Sequence, residues 1–490
     1  MARWATVYRR SLAVLSGWLD TERVPDPAPP VARAVADGAT RLSALDASFL
    51  ALERSGYAMN VGGVVVFDRN DAAPAVTRPL LRERLVARSQ RLRRLRQRLY
   101  DVPMGAGRPV WDDDPAFDVD DHLTEVELPS PGGLGQIERY VAEHHSRPFD
   151  LDKPLWHCTL LNGVADGRVA VYMRFQHAFV DGLRGIALGA GIFDDPREAQ
   201  QPVAEPVPTE QPIRPRLGIL LAEATAEEGA RVMRRAWEFT LDGIDPLSTL
   251  RREQRLLTGM LGFLDSPSPH TPLNRRVGPH RRMTFRELDQ PALTATRRRY
   301  KVDLPTAVLA VVAGALARLF DARGQLCPAV RTLVPLANSR GSVYGNDAAF
   351  VLVDLPTGHL AHEERVRAIA QAFATARATQ LPASRALLSR WNDDGPISNA
   401  LVAEVGNNDD SAGALVSFLR WPRPPPPLFG HPYRITFPTL PVGARLGLMV
   451  GVVEIGGRLA VGLASDPAIV PEAQFLVVSM GQTLTALARG

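Results

Sequence analysis

At 490 residues the chain exceeds what one hydrophobic core holds. Single cores stop growing near ~250–300 residues, so two packed units with a linker are expected. Hydrophobic residues make up 45% and charged residues 22%, an ordinary composition for a soluble protein, and no uncharged apolar run reaches the ~18 residues that a bilayer crossing needs. The formal charge of +4 is small for this length, and only Lys153 and Lys301 are lysines among the many arginines. Spread along the chain, that charge does not indicate a nucleic-acid partner.

In residues 1–20, Trp4, Val7, Tyr8, Leu12, Leu15, Trp18 and Leu19 recur at three- and four-residue steps, beside Arg3, Arg9 and Arg10. This is the pattern of an amphipathic helix that either lies on a membrane surface or packs on the body of the protein. Strand-like alternation follows in MNVGGVVVF (59–67) and RVAVYMRFQH (168–177). Between them, residues 80–99 predict a helix with Leu81, Leu85, Leu92, Leu95 and Leu99 inward, and residues 135–146 predict another. His144 and His145, at the end of the second helix, read as surface residues, and His157 and Cys158 as structural ones.

Six prolines fall within residues 196–215, marking a linker, and residues 217–264 are rich in Ala, Leu, Glu and Arg, as connecting helices are. Beyond Thr271 come a buried-looking helix (306–320), strands at 331–337 and 349–356, and a hairpin turning on Gly456-Gly457. The prolines at 422 and 424–427 read as a stiff surface loop. The organisation expected is therefore an N-terminal extension (1–40), a first unit (41–195), linker and connecting helices (196–270) and a second unit (271–490). Cys158 and Cys327 cannot build a disulfide framework and fit a reducing, cytoplasmic compartment.

Several familiar chemistries are missing from the sequence. It has no Gly-x-Ser-x-Gly elbow, no Gly-Lys phosphate loop, no Cys-x-x-Cys pair and no Gly-x-Gly-x-x-Gly. His359 and His362 form an H-x-x-H without further ligands nearby, so no metal site is expected. His177 stands apart, in QHAFVDG (176–182). Strand parity places Val169, Val171, Met173, Phe175 and His177 on one face, and Tyr172, Arg174 and Gln176 on the other. An imidazole ending an apolar face can take a proton from a hydroxyl or amine, as a general base does. The alternative is a structural histidine beside a turn. Asp181 reads as pinning this loop to an arginine, with Arg340 a candidate, and Gly182 as closing the turn.

QHAFVDG resembles the His-His-x-x-x-Asp-Gly motif of the CoA-dependent acyltransferase superfamily. LSALDASFLALE (42–53), MNVGGVVVF, FDVDDHL, HSRPFDLDKPLW, TPLN, GPHRR, AVVAGAL and GGRLAVGLASDP resemble, in order, segments of the bacterial wax ester synthase/diacylglycerol acyltransferase family. The resemblance implies a mixed α/β fold of two chloramphenicol-acetyltransferase-like units joined by a helical connection, with a tunnel between them. It implies an acyl-CoA-dependent O-acyltransferase that esterifies a lipid alcohol, converting diacylglycerol to triacylglycerol or fatty alcohol to wax ester. Acyl-CoA is then a substrate, with no permanent cofactor and no metal, and the enzyme works peripherally at the inner membrane or lipid droplets.

In that alignment His177 falls on the catalytic histidine, Asp181 on the structural aspartate, Gly182 on the glycine, and Gln176 on the first histidine. Glutamine can still donate and accept hydrogen bonds there. The chain departs from the family at Pro305-Thr306, where Asn-Asp is common, and at SFLRWP, including Phe418, where Ser-Asn-Val-Pro-Gly-Pro is common; Asn346 matches. These departures leave two alternatives open: a different hydroxylated acceptor, or a protein that binds acyl-CoA or lipid without turnover.

Overall fold

The computed structural model describes residues 40–103, 107–180, 193, 225–226, 271–337, 348–393, 412–421, 423–441, 443 and 446–490. The expected N-terminal amphipathic helix, the proline linker, the connecting helices apart from Thr225 and Ala226, and Asp181, Gly182, Arg340 and Asn346 lie outside them. The first half carries β1 (Thr40–Arg41), α1 (Ala44–Arg54), β2 (Asn60–Phe67), α2 (Arg78–Arg91), β3 (Gln97–Tyr100), β4 (Val110–Asp113), β5 (Leu123–Glu127), α3 (Leu134–His145), β6 (Trp156–Asn162) and β7 (Val169–Gln176). The second carries β8 (Arg282–Leu288), α4 (Gln290–Tyr300), α5 (Leu304–Ala322), β9 (Ala329–Ala337), β10 (Ala348–Pro356), α6 (His362–Asp393), β11 (Ala414–Trp421), β12 (Tyr433–Thr439), β13 (Leu448–Ile455), β14 (Arg458–Ser465) and α7 (Ala473–Arg489).

These elements build two mixed sheets, ordered β12-β2-β7-β6-β5 and β10-β9-β11-β13-β14-β8, and a small β1-β4-β3 sheet. The architecture is mixed α/β with two lobes. Alternation along β7 explains how the first sheet is covered on both faces. Val171, Met173 and Phe175 enter one core with Leu50 of α1 and Leu81 and Leu85 of α2. Ala170 and Tyr172 enter the other, with Ile137 and Val141 of α3 and the side chains of the second lobe.

The second sheet forms around α5, where residues 306–317 are buried all round. Asp303 caps this helix, accepting from the Thr306 N–H at 3.0 Å, and Pro305 in the first turn gives up an N–H that has no helical partner there. The helix is long and apolar enough to cross a membrane, yet 83% of that stretch is buried inside the lobe, as in a core helix. The hairpin expected at Gly456-Gly457 joins β13 to β14, both glycines having positive φ.

Two features differ from the sequence reading. The helix expected over 80–99 ends at Arg91, because Leu92 leaves helical geometry (φ −107, ψ 81) and residues 97–100 pair with β4 instead. Leu95 and Leu99 still point inward, from a turn and a strand, and the Leu95 carbonyl accepts from Trp156 Nε1 at 2.7 Å. Tertiary pairing here outweighs helix propensity. His145 is not a surface residue but 2% exposed. Its Nε2 donates to the Leu440 carbonyl (3.2 Å), which leaves Nδ1 to accept from the Tyr172 hydroxyl (2.8 Å).

Leu440 follows β12, the strand that joins the lobes. It lies in the C-terminal half of the chain yet pairs antiparallel with β2, Pro438 opposite Gly63. Its other side presses on the second sheet: a Cβ at Gly462 would overlap the Pro438 carbonyl, and one at Gly451 would come within 2.6 Å of Leu440 Cδ1. Only glycine allows backbones this close. Gly462→Ala is therefore expected to cost ~1–3 kcal/mol. Gly135→Ala, on α3 where an added Cβ meets nothing within 4 Å, should instead gain about 0.4–1 kcal/mol. Denaturant midpoints of the two variants check the contrast, and equal shifts would remove the close-approach argument.

Burial, aided by the nearby Arg174 charge, pushes His145 down from its ordinary 6.5 to about 3. The unfolded chain then takes up a proton below pH 6.5 that the folded chain refuses until about pH 3. The stability from neutral His145 is thus full above 6.5 and is lost as pH falls through that window, at about 1.4 kcal/mol per pH unit. His157, also held at about 3 by burial, acts in the same direction. In His145→Gln, the stability difference between pH 7 and pH 5 should shrink by about 2 kcal/mol in urea titrations, leaving the shares of His157 and of His122, His144 and His362, which burial also lowers. An undiminished difference would contradict the assignment.

Candidate active site

The C-terminal end of β7 sets the site. Asn60 and Gln176 face each other across the β2–β7 ladder. Backbone pairing runs one residue further, with the His177 N–H donating to the Met59 carbonyl (2.8 Å), while the Gln176 N–H donates to Leu155 on the other side (3.0 Å). The chain then turns sharply, closed by the Phe179 N–H on the Gln176 carbonyl at 2.8 Å. Ala178, Phe179 and Val180 anchor this turn in the first core, Phe179 meeting the Trp111 ring edge-on at 5.6 Å. His177 is left only partly covered at the turn's first inner position.

Its imidazole lies nearly flat on the Phe49 ring of α1, with centroids 4.0 Å apart and planes inclined by 20°. Gln176 takes the opposite course, as strand parity requires: its side chain is wholly buried. The Gln176 Oε1 accepts from the Ala178 N–H at 2.5 Å, stapling the turn, and the amide's other end faces Glu53 of α1. Gln176 Nε2 and Glu53 Oε2 are both buried without a hydrogen bond of normal geometry. Burial pushes the Glu53 carboxyl above its ordinary value, while the Phe149 N–H, the Gln176 amide, the Met59 backbone and the Arg174 charge pull it back.

The loop after α3 braces Glu53 from behind. Asn60 Nδ2 donates to the His145 and Arg147 carbonyls, both at 2.8 Å, and Arg174 donates to those of His144 (2.6 Å) and Arg147 (2.8 Å). With the Arg174 guanidinium over the Phe149 ring at 4.3 Å, this loop presents the Phe149 N–H to Glu53 Oε1 at 3.0 Å.

The structure therefore brings His177 and Gln176 together at one turn, with their side chains directed to different surroundings. Thr306 is remote from that turn in sequence and serves the first turn of α5, while Phe418 sits in β11 and packs on the second core. His359 is exposed, 3.7 Å from Asp321, and among the described residues no three metal-ligating side chains converge. Phe49 and Glu53 were missed by the sequence reading. Their signals are a four-residue spacing on a helix, an aromatic and an acid on one face, and their place in the family-like segment LSALDASFLALE, neither of which names a partner.

The sequence model of the wax ester synthase/diacylglycerol acyltransferase catalytic domain matches residues 42–308, and that of the family's C-terminal domain matches residues 344–488. A Mycobacterium tuberculosis protein named as a diacylglycerol O-acyltransferase is 28% identical over 450 residues, covering 88% of this chain and 87% of its own. Another from that organism, bearing the same activity in its name, is 31% identical over 274 residues, 54% of this chain and 98% of its own. Among solved structures, the wax ester synthase/diacylglycerol acyltransferase of Marinobacter aquaeolei VT8 superposes with a TM-score of 0.62 at 20% identity, covering 91% of this chain and 98% of that one. The first condensation domain of the calcium-dependent antibiotic synthetase gives 0.59 at 16% identity, covering 92% and 96%. The structural likenesses concern the fold, and they agree with the two-lobed α/β architecture. The two domain models together span most of the sequence, so the chain belongs to the wax ester synthase/diacylglycerol acyltransferase family and is an acyltransferase.

Proposed function

We propose that the protein transfers a long-chain acyl group from acyl-CoA to the hydroxyl of a lipid alcohol, diacylglycerol or a fatty alcohol, with His177 as general base. The observation that carries this reading is the His177 imidazole itself. It is partly exposed at the end of a buried strand, with its backbone tied to Met59 and its ring braced by Phe49. The imidazole takes the hydroxyl proton as the alcohol oxygen attacks the thioester carbonyl. The resulting tetrahedral oxyanion collapses with cleavage of the C–S bond, and the imidazolium returns the proton to the departing thiolate, giving ester and free CoA.

Direct transfer is favoured over a cysteine acyl-enzyme. The Cys158 thiol is fully buried and pushed up to about 12, and burial also raises Cys327. Neither offers thiolate at neutral pH. The choice of acceptor class rests on the names of the mycobacterial and Marinobacter relatives. Acceptors of that kind partition into membranes and lipid bodies, which supports peripheral work at such a surface. Gln176 and Thr306, where the family motifs differ, favour a second reading in which acyl-CoA binds without turnover.

Purified protein given palmitoyl-CoA with hexadecanol or dipalmitoylglycerol is expected to release free CoA and form ester. His177→Ala should lower that rate by at least ~10²-fold with its melting temperature kept, since general-base assistance contributes about that much. Near-normal turnover in a folded His177→Ala protein would sink the general-base role. Tight palmitoyl-CoA binding with no turnover of either acceptor would favour the second reading.

A further inference from the structure

We propose that Phe49 and Glu53, one turn apart on α1, are positioning residues for His177. The spacing places both on one face of the helix, and each meets one of the two neighbouring motif residues. Phe49 stacks on the His177 ring; Glu53 is buried, held by the Phe149 N–H at 3.0 Å, and neighbours the buried Gln176 amide without a hydrogen bond of normal geometry between them. Helix α1 is itself fixed at its start, where the Ser43 hydroxyl accepts from the Asp46 N–H at 3.0 Å. It is also packed against α6 of the second lobe.

The two contacts constrain different coordinates. A flat aromatic stack covers one face of the imidazole and restricts its rotation, so the nitrogen-bearing edge is presented in one direction. The Ala178 N–H fixes which way the Gln176 amide points, and the Glu53 carboxyl favours the same orientation. A carboxylate oxygen only accepts, so the NH₂ end turns toward it and Oε1 remains for the Ala178 N–H. That bond closes the turn on which His177 sits. Reversing the amide would bring two acceptors together at Glu53 and two donors together at Ala178. Phe149 completes the arrangement by holding the other Glu53 oxygen with its N–H.

The kinetic arm of the test rests on the acyl-transfer reading; the spectroscopic arm does not. The full chain is labelled with ¹³Cε1-histidine, and the His177 resonance is identified by its loss in His177→Ala. Phe49→Leu is compared with Phe49→Tyr, which keeps the stack, and Glu53→Leu with Glu53→Gln, which keeps an acceptor. In the leucine variants kcat with palmitoyl-CoA and hexadecanol is expected to fall about tenfold or more, KM staying within about threefold, because misplacing a catalytic group costs rate rather than affinity. The His177 titration should shift in the same variants, and tyrosine and glutamine should restore both readouts most of the way. An unmoved His177 titration and unchanged kcat in folded Phe49→Leu and Glu53→Leu would overturn the proposal. So would a fall in melting temperature with the titration untouched, which marks a merely structural role. If the wild-type protein turns over neither acceptor, the acyl-transfer reading fails by itself, and the titrations alone decide the positioning role by the same criterion.

Discussion

The pairing of β2 with β7 is the constraint on which the site depends. It runs without interruption from Phe67 opposite Val169 to Asn60 opposite Gln176. Side chains alternate between faces, so a slip of one residue would exchange the two sets. Such a slip would drive Arg174 and Gln176 into the apolar core that now receives Val171, Met173 and Phe175. It would also take them from the carbonyls of His144 and Arg147, the Ala178 N–H and the Glu53 carboxyl that they now meet. Register is therefore selected twice, by apolar burial on one face and by polar satisfaction on the other. His177 inherits its place from both.

The same ladder ties the lobes together, because the other edge of β2 receives β12. One strand thus serves both the motif strand and the strand that presses on Gly462 and Gly451 of the second sheet. His145 extends the connection by linking α3 and Tyr172 to the Leu440 carbonyl just past β12. Glu138 of α3 adds another link, accepting from the Phe285 N–H on the open edge of β8 at 2.6 Å. These contacts are buried or partly buried, and they tie the sheet that carries the motif strand to the second lobe.

What was legible in the sequence follows from how local each cause is. Alternation in β2 and β7, the all-apolar helix α5 and the Gly456-Gly457 hairpin are set by neighbours along the chain, and each appears where its pattern places it. Strand β12 was not legible. Tyr433–Thr439 has threonines, a proline and an arginine in place of a clean apolar alternation, and its partner lies across the molecule in β2. The break after Arg91 is likewise a tertiary effect that overrides helix periodicity, whereas His145 extends the buried Ile137–Val141 stripe of α3 at four-residue steps and reads as a surface residue only by its type. At the site, parity assigns Gln176 and His177 to opposite faces, although both lie against the one face of α1 that carries Phe49 and Glu53. It cannot reveal Phe49 or Glu53, whose partners lie far along the chain, because a four-residue helical spacing says which side chains share a face and nothing about what faces them.

The glutamine at the first motif position is chemically economical. A neutral imidazole offers one nitrogen that accepts and one N–H that donates. Glutamine offers the same pair of functions on one planar group, and here the accepting end meets the Ala178 N–H while the donating end faces Glu53. The amide differs in having no proton to gain. An imidazole at this fully buried place, beside a carboxyl, could be drawn into its doubly donating form, and it would then lose the acceptor that closes the turn. With Gln176 the acceptor persists at every pH the fold survives. A glutamine therefore places no titratable group next to His177, while its Oε1 closes the turn through the Ala178 N–H.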